Sequence, residues 1–291
     1  MERGVFCISI DFELAWGFVD VPQQKGPFIE AIARLERPVV RRLLDLFGKY
    51  GISATWAIVG CLLERQTVIR GHPAGPVPPA VWYAPDLLDQ IRSVTPAQEL
   101  ASHSFGHLIF SHATREQAAA DLDAAARIHR AHGLDFTSFV FPDNKVNHLD
   151  VLAQHGIKVF RSGACTERLG GLGRLGRFLD KLLPLAPLTV QPLPHETGLV
   201  ELPGCMPLIG RNGIRRLIRW QVIVHKARAA LAAAAAQKRL FHFYLHPHNL
   251  YFDTETQFKL VEAILAAAAT LRDQGLLDIL PMKSFATLRT G

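Results

Sequence analysis

The sequence predicts an α/β fold in which parallel strands form the core and helices cover them. The main sign is a recurring order of an amphipathic helix, a glycine that ends it and a short apolar strand. This order first occurs at residues 38–59 and returns at 122–141, 149–160 and 258–280. Such units are typical of a parallel sheet, either open or closed into a barrel. No GxGxxG motif directly follows a predicted strand and no GxxxxGK[ST] motif occurs, which disfavours the nucleotide-binding folds.

The individual elements follow from local signals in chain order. Residues 5–10 are an apolar, β-branched run typical of a buried strand. Pro38 is predicted to open the first helix as a first-turn proline. The segment 114–117 resembles a capping box and predicts the start of a helix that reaches residue 132. A strand is also predicted at 241–246, where side chains alternate between two faces.

We expect residues 1–291 to form a single domain in which two segments interrupt the pattern. Residues 163–195 are rich in Gly, Leu and Pro, and are predicted to be an irregular excursion over the surface. Residues 214–237 are predicted to form a long basic amphipathic helix. Such a helix is compatible with peripheral membrane contact. The simpler interpretation is a helix that lies on its own barrel and exposes its basic face to solvent.

The composition excludes several classes of function. Hydrophobic residues make up 49% of the chain and charged residues 20%, which indicates a globular protein. The net charge of +6 is modest and basic residues do not alternate with aromatic ones, so we do not expect nucleic acid as a partner. No apolar run approaches the roughly 20 residues of a membrane span, and no signal-peptide pattern is present. We therefore expect a cytoplasmic protein, with association at the inner membrane face as the variant.

Two histidines four residues apart, His103 and His107, carry the strongest chemical signal. If the segment coils, positions i and i+4 lie on one side and both imidazoles can bind one metal ion. Asp11 and Glu13 follow the first predicted strand, and extended backbone would place both carboxylates on one face. A loop acid and a helix cap are the alternative interpretation of this pair. His246 ends a late strand, and α/β proteins place their chemistry at strand ends.

These motifs together resemble the polysaccharide deacetylases of the NodB-homology type, a carbohydrate esterase family. Residues 103–107 match the metal motif of that family, and residues 9–13 lie where it has an Asp-Asp pair. Residues 141–144 lie where its proline-containing motif is expected, and residues 245–246 match its last motif. The resemblance covers roughly residues 5–285. It implies a distorted (β/α) barrel with parallel strands inside and helices outside.

The resemblance also implies a metal-dependent hydrolase that removes an acetyl or formyl group from the nitrogen of an amino sugar. Asp11 is implied as the catalytic base and His246 as the catalytic acid. Zn²⁺ is the expected cofactor, and Co²⁺ or another divalent ion is also compatible. The implied metal ligands are Glu13, His103 and His107. The implied substrate-binding residues are Pro142, Asn144, Arg161, His248 and Asn249.

The chain departs from the family pattern in three places. The adjacent Asp-Asp pair is replaced by Asp11 and Glu13 with one residue between them, so the choice of metal-binding carboxylate stays open. The third motif contains Asp143 where the family usually has an arginine, and we hypothesise that Arg161, after the next strand, replaces it. Residues 201–205 do not match the aspartate-containing fourth motif.

Three functions are compatible with these observations. The leading one is N-deacylation of an amino sugar, with a nucleotide-linked or lipid-linked precursor or a surface glycan as substrate. The second keeps the same site but acts on a non-sugar amide or a cyclic imide. The third is a catalytically silent glycan-binding protein, which only the altered third motif favours.

Overall fold

The computed structural model describes residues 1–18, 25–64, 79–163 and 188–287, and ten strands and six α-helices lie within these ranges. The strands are β1 Gly4–Phe12, β2 Thr55–Ile58, β3 Glu99–Ser102, β4 Ser138–Val140, β5 Val159–Ser162, β6 Leu193–Pro194, β7 Val200–Pro203, β8 Met206–Pro207, β9 Leu240–Leu245 and β10 Leu277–Ile279. The helices are α1 Lys25–Tyr50, α2 Pro85–Ser93, α3 Arg115–Ala131, α4 Leu149–Gln154, α5 Trp220–Gln237 and α6 Thr254–Asp273.

All ten strands belong to one sheet with the order β6-β7-β5-β4-β3-β2-β1-β9-β8, and β10 pairs with β1. Every pairing is parallel except that of β6 with β7. The chain continues from β7 into β8 through Gly204 and Cys205. The Gly204 N–H donates to the carbonyl of Ser162, the last residue of β5, and the Cys205 N–H donates to the carbonyl of His242 in β9. One segment therefore links both ends of the sheet, and the predicted distorted (β/α) barrel is confirmed.

Strand β1 is the centre of this barrel. All nine of its residues are buried, and it pairs with β2, β9 and β10. Burial on both faces explains its continuous apolar run. Because β1, β2, β3 and β9 are parallel, their carboxyl ends meet at one rim, and the polar residues that follow them are brought together there.

The prediction that Pro38 opens the first helix is wrong, because α1 begins at Lys25 and Pro38 lies inside it. Pro38 is exposed, whereas Ile32 and Val39 are buried, so the apolar stripe continues through the proline and holds both parts of the helix on the core. The capping box before α3 is confirmed. The Thr114 hydroxyl accepts from the Gln117 N–H, and the Gln117 side chain accepts from the Thr114 N–H.

The helix predicted at 214–237 is wrong in its first part. Residues Gly213–Leu217 form a short 3-10 turn, and α5 begins only at Trp220. Gly213 has a φ of +53°, and the Arg211 guanidinium donates to the carbonyl of Arg216 in the turn and of Ile218 just after it, so this backbone is not free to continue as α-helix. None of the helices in the described ranges is long and apolar enough to cross a bilayer.

Most of the predicted excursion at 163–195 lies outside the described residues, which resume at 188. There Val190 forms an antiparallel bridge with Leu240 at the start of β9, and β6 pairs with β7. The end of this segment therefore belongs to the sheet.

Candidate metal centre

One carboxylate and two imidazoles converge at the rim where β1 and β3 end. The Oε2 atom of Glu13 lies 3.3 Å from His103 Nε2 and 3.1 Å from His107 Nε2. Potential ligand atoms of all three residues lie within 4.8 Å of one another, and all three residues are buried. Glu13 follows β1 and His103 follows β3. Because the two strands run parallel in one sheet, their ends place these side chains at the same rim.

The loop that carries the two histidines is not helical, although their spacing suggested a coil. Ser104 and His107 both have positive φ values, 68° and 59°, which cost energy for non-glycine residues. Asp121 of α3 fixes this loop because its carboxylate accepts hydrogen bonds from the Ser104 hydroxyl and from the N–H groups of Phe105 and Gly106, at 2.9–3.1 Å. The imidazoles are therefore held in place by a residue outside the motif.

The position of Glu13 depends on Gly17 in the 3-10 turn Leu14–Phe18. A Cβ atom at Gly17 would lie 2.1 Å from Oε1 of Glu13 and 2.3 Å from its carboxyl carbon. Any larger residue would have to push the carboxylate aside. The turn therefore needs a glycine so that the Glu13 side chain can fold over it toward the histidines.

The donor atoms fit a divalent cation. His103 Nδ1 lies 2.8 Å from the carbonyl of Val140 and donates to it, which leaves Nε2 as the atom that could bind a cation. Among the described residues, Nε2 of His103 is buried and has no hydrogen-bond partner. It faces the Glu13 carboxylate, whose pKa is raised by burial but lowered more strongly by the facing histidines, to well below its usual range. A cation between these groups would give the buried Nε2 atom a partner and would balance the charge of the Glu13 carboxylate.

Asp11, the other acid of the pair, is bound to Arg161 instead of the histidines. Nη1 and Nη2 of Arg161 donate to Oδ1 and Oδ2 of Asp11, each at 2.6 Å. Both side chains are buried, with exposed fractions of 0% and 3%. Burial raises the pKa of the Asp11 carboxyl, but the guanidinium more than offsets this, and the pKa is about 2. Asp11 is therefore a carboxylate at neutral pH.

Arg161 itself is held by a polar chain through the barrel. It donates to the side-chain oxygen of Asn144 and to the hydroxyl of Ser9, and its guanidinium lies 4.4 Å from the centre of the Tyr244 ring. Ser9 lies 2.9 Å from Nε2 of His242. Burial, and then the positive charge of Arg161, lower the pKa of His242 to about 3, so this ring is neutral.

His246 lies above both carboxylates at the end of β9. Its Nε2 atom is 3.4 Å from Oδ2 of Asp11 and 3.5 Å from Oε1 of Glu13. The Asn249 side chain accepts a hydrogen bond from the His246 N–H at 2.8 Å, which fixes the backbone where β9 ends. The rim therefore combines a candidate metal centre, a second carboxylate and a third imidazole.

A sequence model of the family described as polysaccharide deacetylase matches residues 25–160, a range that contains both rim histidines but neither Asp11 nor Glu13. Over this range the sequence is similar to those of the polysaccharide deacetylases. No curated protein matches it by sequence.

Solved structures with the same fold include two proteins described as polysaccharide deacetylases. One, from Mycobacterium smegmatis, has a TM-score of 0.66 and 15% identity, with 98% of this chain and 91% of the other covered. The other, from Pseudomonas aeruginosa PAO1, has a TM-score of 0.64 and 11% identity over 97% and 89%. Puue allantoinase has a TM-score of 0.65 and 11% identity over 97% and 88%.

Of the substrate-binding residues predicted from the sequence, some support the site and others border open space. Pro142 is buried in the 3-10 turn that follows β4, and Asn144 binds Arg161. Nδ1 of His248 lies 4.0 Å from Oε1 of Glu13. Together with Asn249, His248 borders a cavity of about 480 Å³, which we call the His248 cavity. Its other lining residues are Phe18, Gly210, Asn212, Gly213, Ile214, Arg215 and Phe252.

Several residues that shape the site were not predicted from the sequence. Asp121 holds the histidine loop, Gly17 leaves room for Glu13, and Ser9 and His242 support Arg161. An aspartate seven residues after a capping threonine is common in helices, and no local pattern distinguishes Asp121 from the exposed Asp123. For His242 a signal existed, because strand alternation places it on the same face as His246.

Proposed function

We propose that the protein is a divalent-metal-dependent hydrolase that removes an acetyl or formyl group from the nitrogen of an amino sugar, such as a nucleotide-linked or lipid-linked precursor. The observation that carries the proposal is the convergence of Glu13, His103 and His107 beside Asp11 and His246 at one rim. Relationship to the polysaccharide deacetylases supports the reaction class. We propose Zn²⁺ as the ion, because two imidazoles and one carboxylate are a zinc donor set that leaves positions open.

The residues around the centre have complementary roles in this proposal. A divalent cation held by Glu13, His103 and His107 would supply Lewis acidity and lower the pKa of a water molecule. Asp11 is ionised and faces the same rim, so its carboxylate is suited to accept the proton of the attacking water. Arg161 holds that carboxylate in one orientation through two hydrogen bonds.

His246 is proposed as the group that protonates the leaving amine. Its Nε2 atom is close to Oδ2 of Asp11, so a proton accepted by Asp11 has a short path to the imidazole. An amine leaves an amide only after it gains a proton, and an imidazole can hold and release one near neutral pH. Asp11 and His246 would then act in sequence as base and acid.

The direct test is acyl release from a panel of N-acetylated and N-formylated amino sugars by protein loaded with Zn²⁺ or Co²⁺. We expect acetate or formate to appear, a chelator to stop its release, and His103→Ala to abolish it. His112→Ala is the matched control, because His112 is an exposed histidine near the same loop and should leave activity unchanged. Metal-loaded protein that binds a glycan tightly but releases no acyl group would contradict the proposal and favour a silent binding protein.

A cyclic amide is the second candidate substrate, favoured by the likeness of the fold to Puue allantoinase at a TM-score of 0.65. A cyclic ureide and a cyclic imide therefore belong in the same panel. Turnover of either without release of acetate or formate would identify this second function.

A further inference from the structure

The two most exposed large apolar side chains of the described residues lie in one short turn. Ile214 is 72% exposed and Leu217 is 80% exposed, and both belong to the 3-10 turn Gly213–Leu217. Val222, in the first turn of α5, is 38% exposed. Single exposed apolar residues are ordinary, but a group on adjacent turns indicates a surface that another apolar phase covers. We call residues 213–222 the basic apolar segment.

This segment has a fixed conformation. The Arg211 guanidinium donates to the carbonyl of Arg216 at 2.8 Å and to that of Ile218 at 2.5 Å, and it forms an ion pair with Asp253 at 2.7 Å. The Arg216 side chain in turn donates to the carbonyl of Arg211 at 3.1 Å. The backbone therefore holds Ile214 and Leu217 outward, although burial would be more favourable for both.

The charge of this part of the chain is entirely positive. Residues 202–252 contain eight Lys and Arg residues and no Asp or Glu, whereas the rest of the chain contains two more acidic than basic residues. Three of these arginines, Arg215, Arg216 and Arg219, are exposed and alternate with the apolar residues of the segment. Exposed apolar side chains within a positive field are complementary to a bilayer with anionic headgroups.

The segment also borders the opening that leads to the rim. Gly213, Ile214 and Arg215 line the His248 cavity, and His248 on its other side lies 4.0 Å from Glu13. A surface in contact with the basic apolar segment would therefore lie at the mouth of the cavity.

We propose that the basic apolar segment docks the protein on an anionic lipid bilayer, with Ile214 and Leu217 inserted into the headgroup region and Arg215, Arg216 and Arg219 beside the anionic groups. The mouth of the His248 cavity then faces the membrane. A further consequence, which rests on the proposed function, is that the amino-sugar substrate is carried on a lipid. The docking itself needs no substrate and no turnover, so its test is independent of the hydrolase proposal.

The test is co-sedimentation of the full chain with phosphatidylcholine vesicles and with vesicles that contain phosphatidylglycerol as well. We expect binding to the anionic vesicles alone, and its loss when the salt concentration rises from 0.1 M to 1 M, since screening then acts over about 3 Å. The double variant Ile214→Ser/Leu217→Ser should bind roughly tenfold or more weakly, because the apolar insertion is lost. Leu276→Ser is the matched control, since Leu276 is 51% exposed on another surface and should leave binding unchanged.

A second variant places a fluorescent reporter in the segment and keeps an apolar side chain there, so that insertion into the bilayer can be observed directly. On addition of anionic vesicles, Leu217→Trp should show a larger blue shift of tryptophan emission than the natural protein, which already has Trp220 in the segment. Leu276→Trp should show no shift beyond that of the natural protein. The proposal is overturned if the natural protein does not sediment with anionic vesicles, if the double variant binds as well as the natural protein, or if Leu276→Ser weakens binding equally. It is also overturned if the protein self-associates and the double variant abolishes that association without an effect on vesicle binding, because the segment would then be an interface between copies of the chain.

Discussion

The buried pair of Arg161 and Asp11 yields a quantitative prediction that does not depend on activity. Arg161→Met removes the guanidinium and leaves the Asp11 carboxylate buried without its two 2.6 Å hydrogen bonds. Loss of one partner from a buried ion pair costs about 3–5 kcal/mol. A domain is typically stable by only about 5–15 kcal/mol, so we expect a large fall in the free energy of unfolding.

A double-mutant cycle separates the pair from its surroundings. Asp11→Asn alone leaves a buried guanidinium without a counter-charge, so we expect destabilisation in the same direction. The combined variant Asp11→Asn/Arg161→Met contains neither charge, and we expect it to be more stable than the sum of the single losses predicts, by about 2 kcal/mol or more. Arg161→Lys keeps the charge but loses the two-pronged geometry, and should lie between Arg161→Met and the natural protein.

The assay is urea unfolding followed by tryptophan fluorescence at pH 7, with chelator present so that bound metal does not contribute. The matched control is the exposed pair of Arg115 and Asp150, whose side chains are 49% and 52% exposed, and Arg115→Met should cost less than about 1 kcal/mol. A loss for Arg161→Met as small as that of the control, or strictly additive effects in the cycle, would refute the reasoning.

Three further predictions follow from contacts around the rim. Gly17→Ala should lower the affinity for Zn²⁺ at least tenfold in a competition with a chelating dye, because the new Cβ would lie 2.1 Å from Glu13 Oε1. Gly106→Ala is the control and should leave the affinity unchanged, because the nearest atom to its new Cβ would be 4.0 Å away. Asp121→Asn should lower the same affinity by about 10–100-fold, since the amide offers the histidine loop one acceptor oxygen in place of two. Equal loss in the control Asp123→Asn would contradict this role. Burial raises the pKa of Glu36 to about 8, so between about pH 4.5 and pH 8 the folded state keeps a proton that the unfolded state loses. The stability associated with protonated Glu36 is thus complete below about pH 4.5 and lost by pH 8. Glu36→Gln keeps an acceptor for the Tyr251 hydroxyl and has no proton to lose. Its advantage over the natural protein in free energy of unfolding should therefore be larger at pH 8 than at pH 5 by a few kcal/mol. A difference in urea unfolding that is equal at both pH values would contradict this.

The order of elements was predictable because each one has its own local signal. The apolar run of β1, the glycines after α1 and α3 and the capping box at Thr114 depend on neighbours in the chain, and the structure has all of them. The predictions were wrong where a contact with a residue distant in the chain overrode a local sequence rule. Pro38 marks a helix start by rule, yet tertiary packing of Ile32 extends α1 upstream. The turn at Gly213–Leu217 is set by Arg211 and Asp253 across a long separation.

The same distinction applies to the site. The spacing of His103 and His107 was visible in the sequence, and the structure brings both imidazoles to Glu13. The backbone that achieves this was not visible, since the positive φ angles of Ser104 and His107 are held by Asp121 from another element. The motif therefore identifies which side chains can bind a common metal ion. The contacts that hold those side chains in position come from residues elsewhere in the chain.

Arg161 shows how a buried acid can be paired by a residue outside the motif that was expected to supply its partner. The resemblance predicted an arginine near Asp143. An acid such as Asp11 can be paired by any guanidinium that reaches both of its oxygens in one plane. Strand β5 is the parallel neighbour of β4, so its end opens on the same rim as the turn that contains Asp143. The barrel interior then directs Arg161 toward Asp11, and Asn144, from the altered motif itself, accepts two of its hydrogen bonds. Asn144 thus supports the guanidinium, and parallel strand pairing brings Arg161 to Asp11 from a distant part of the chain.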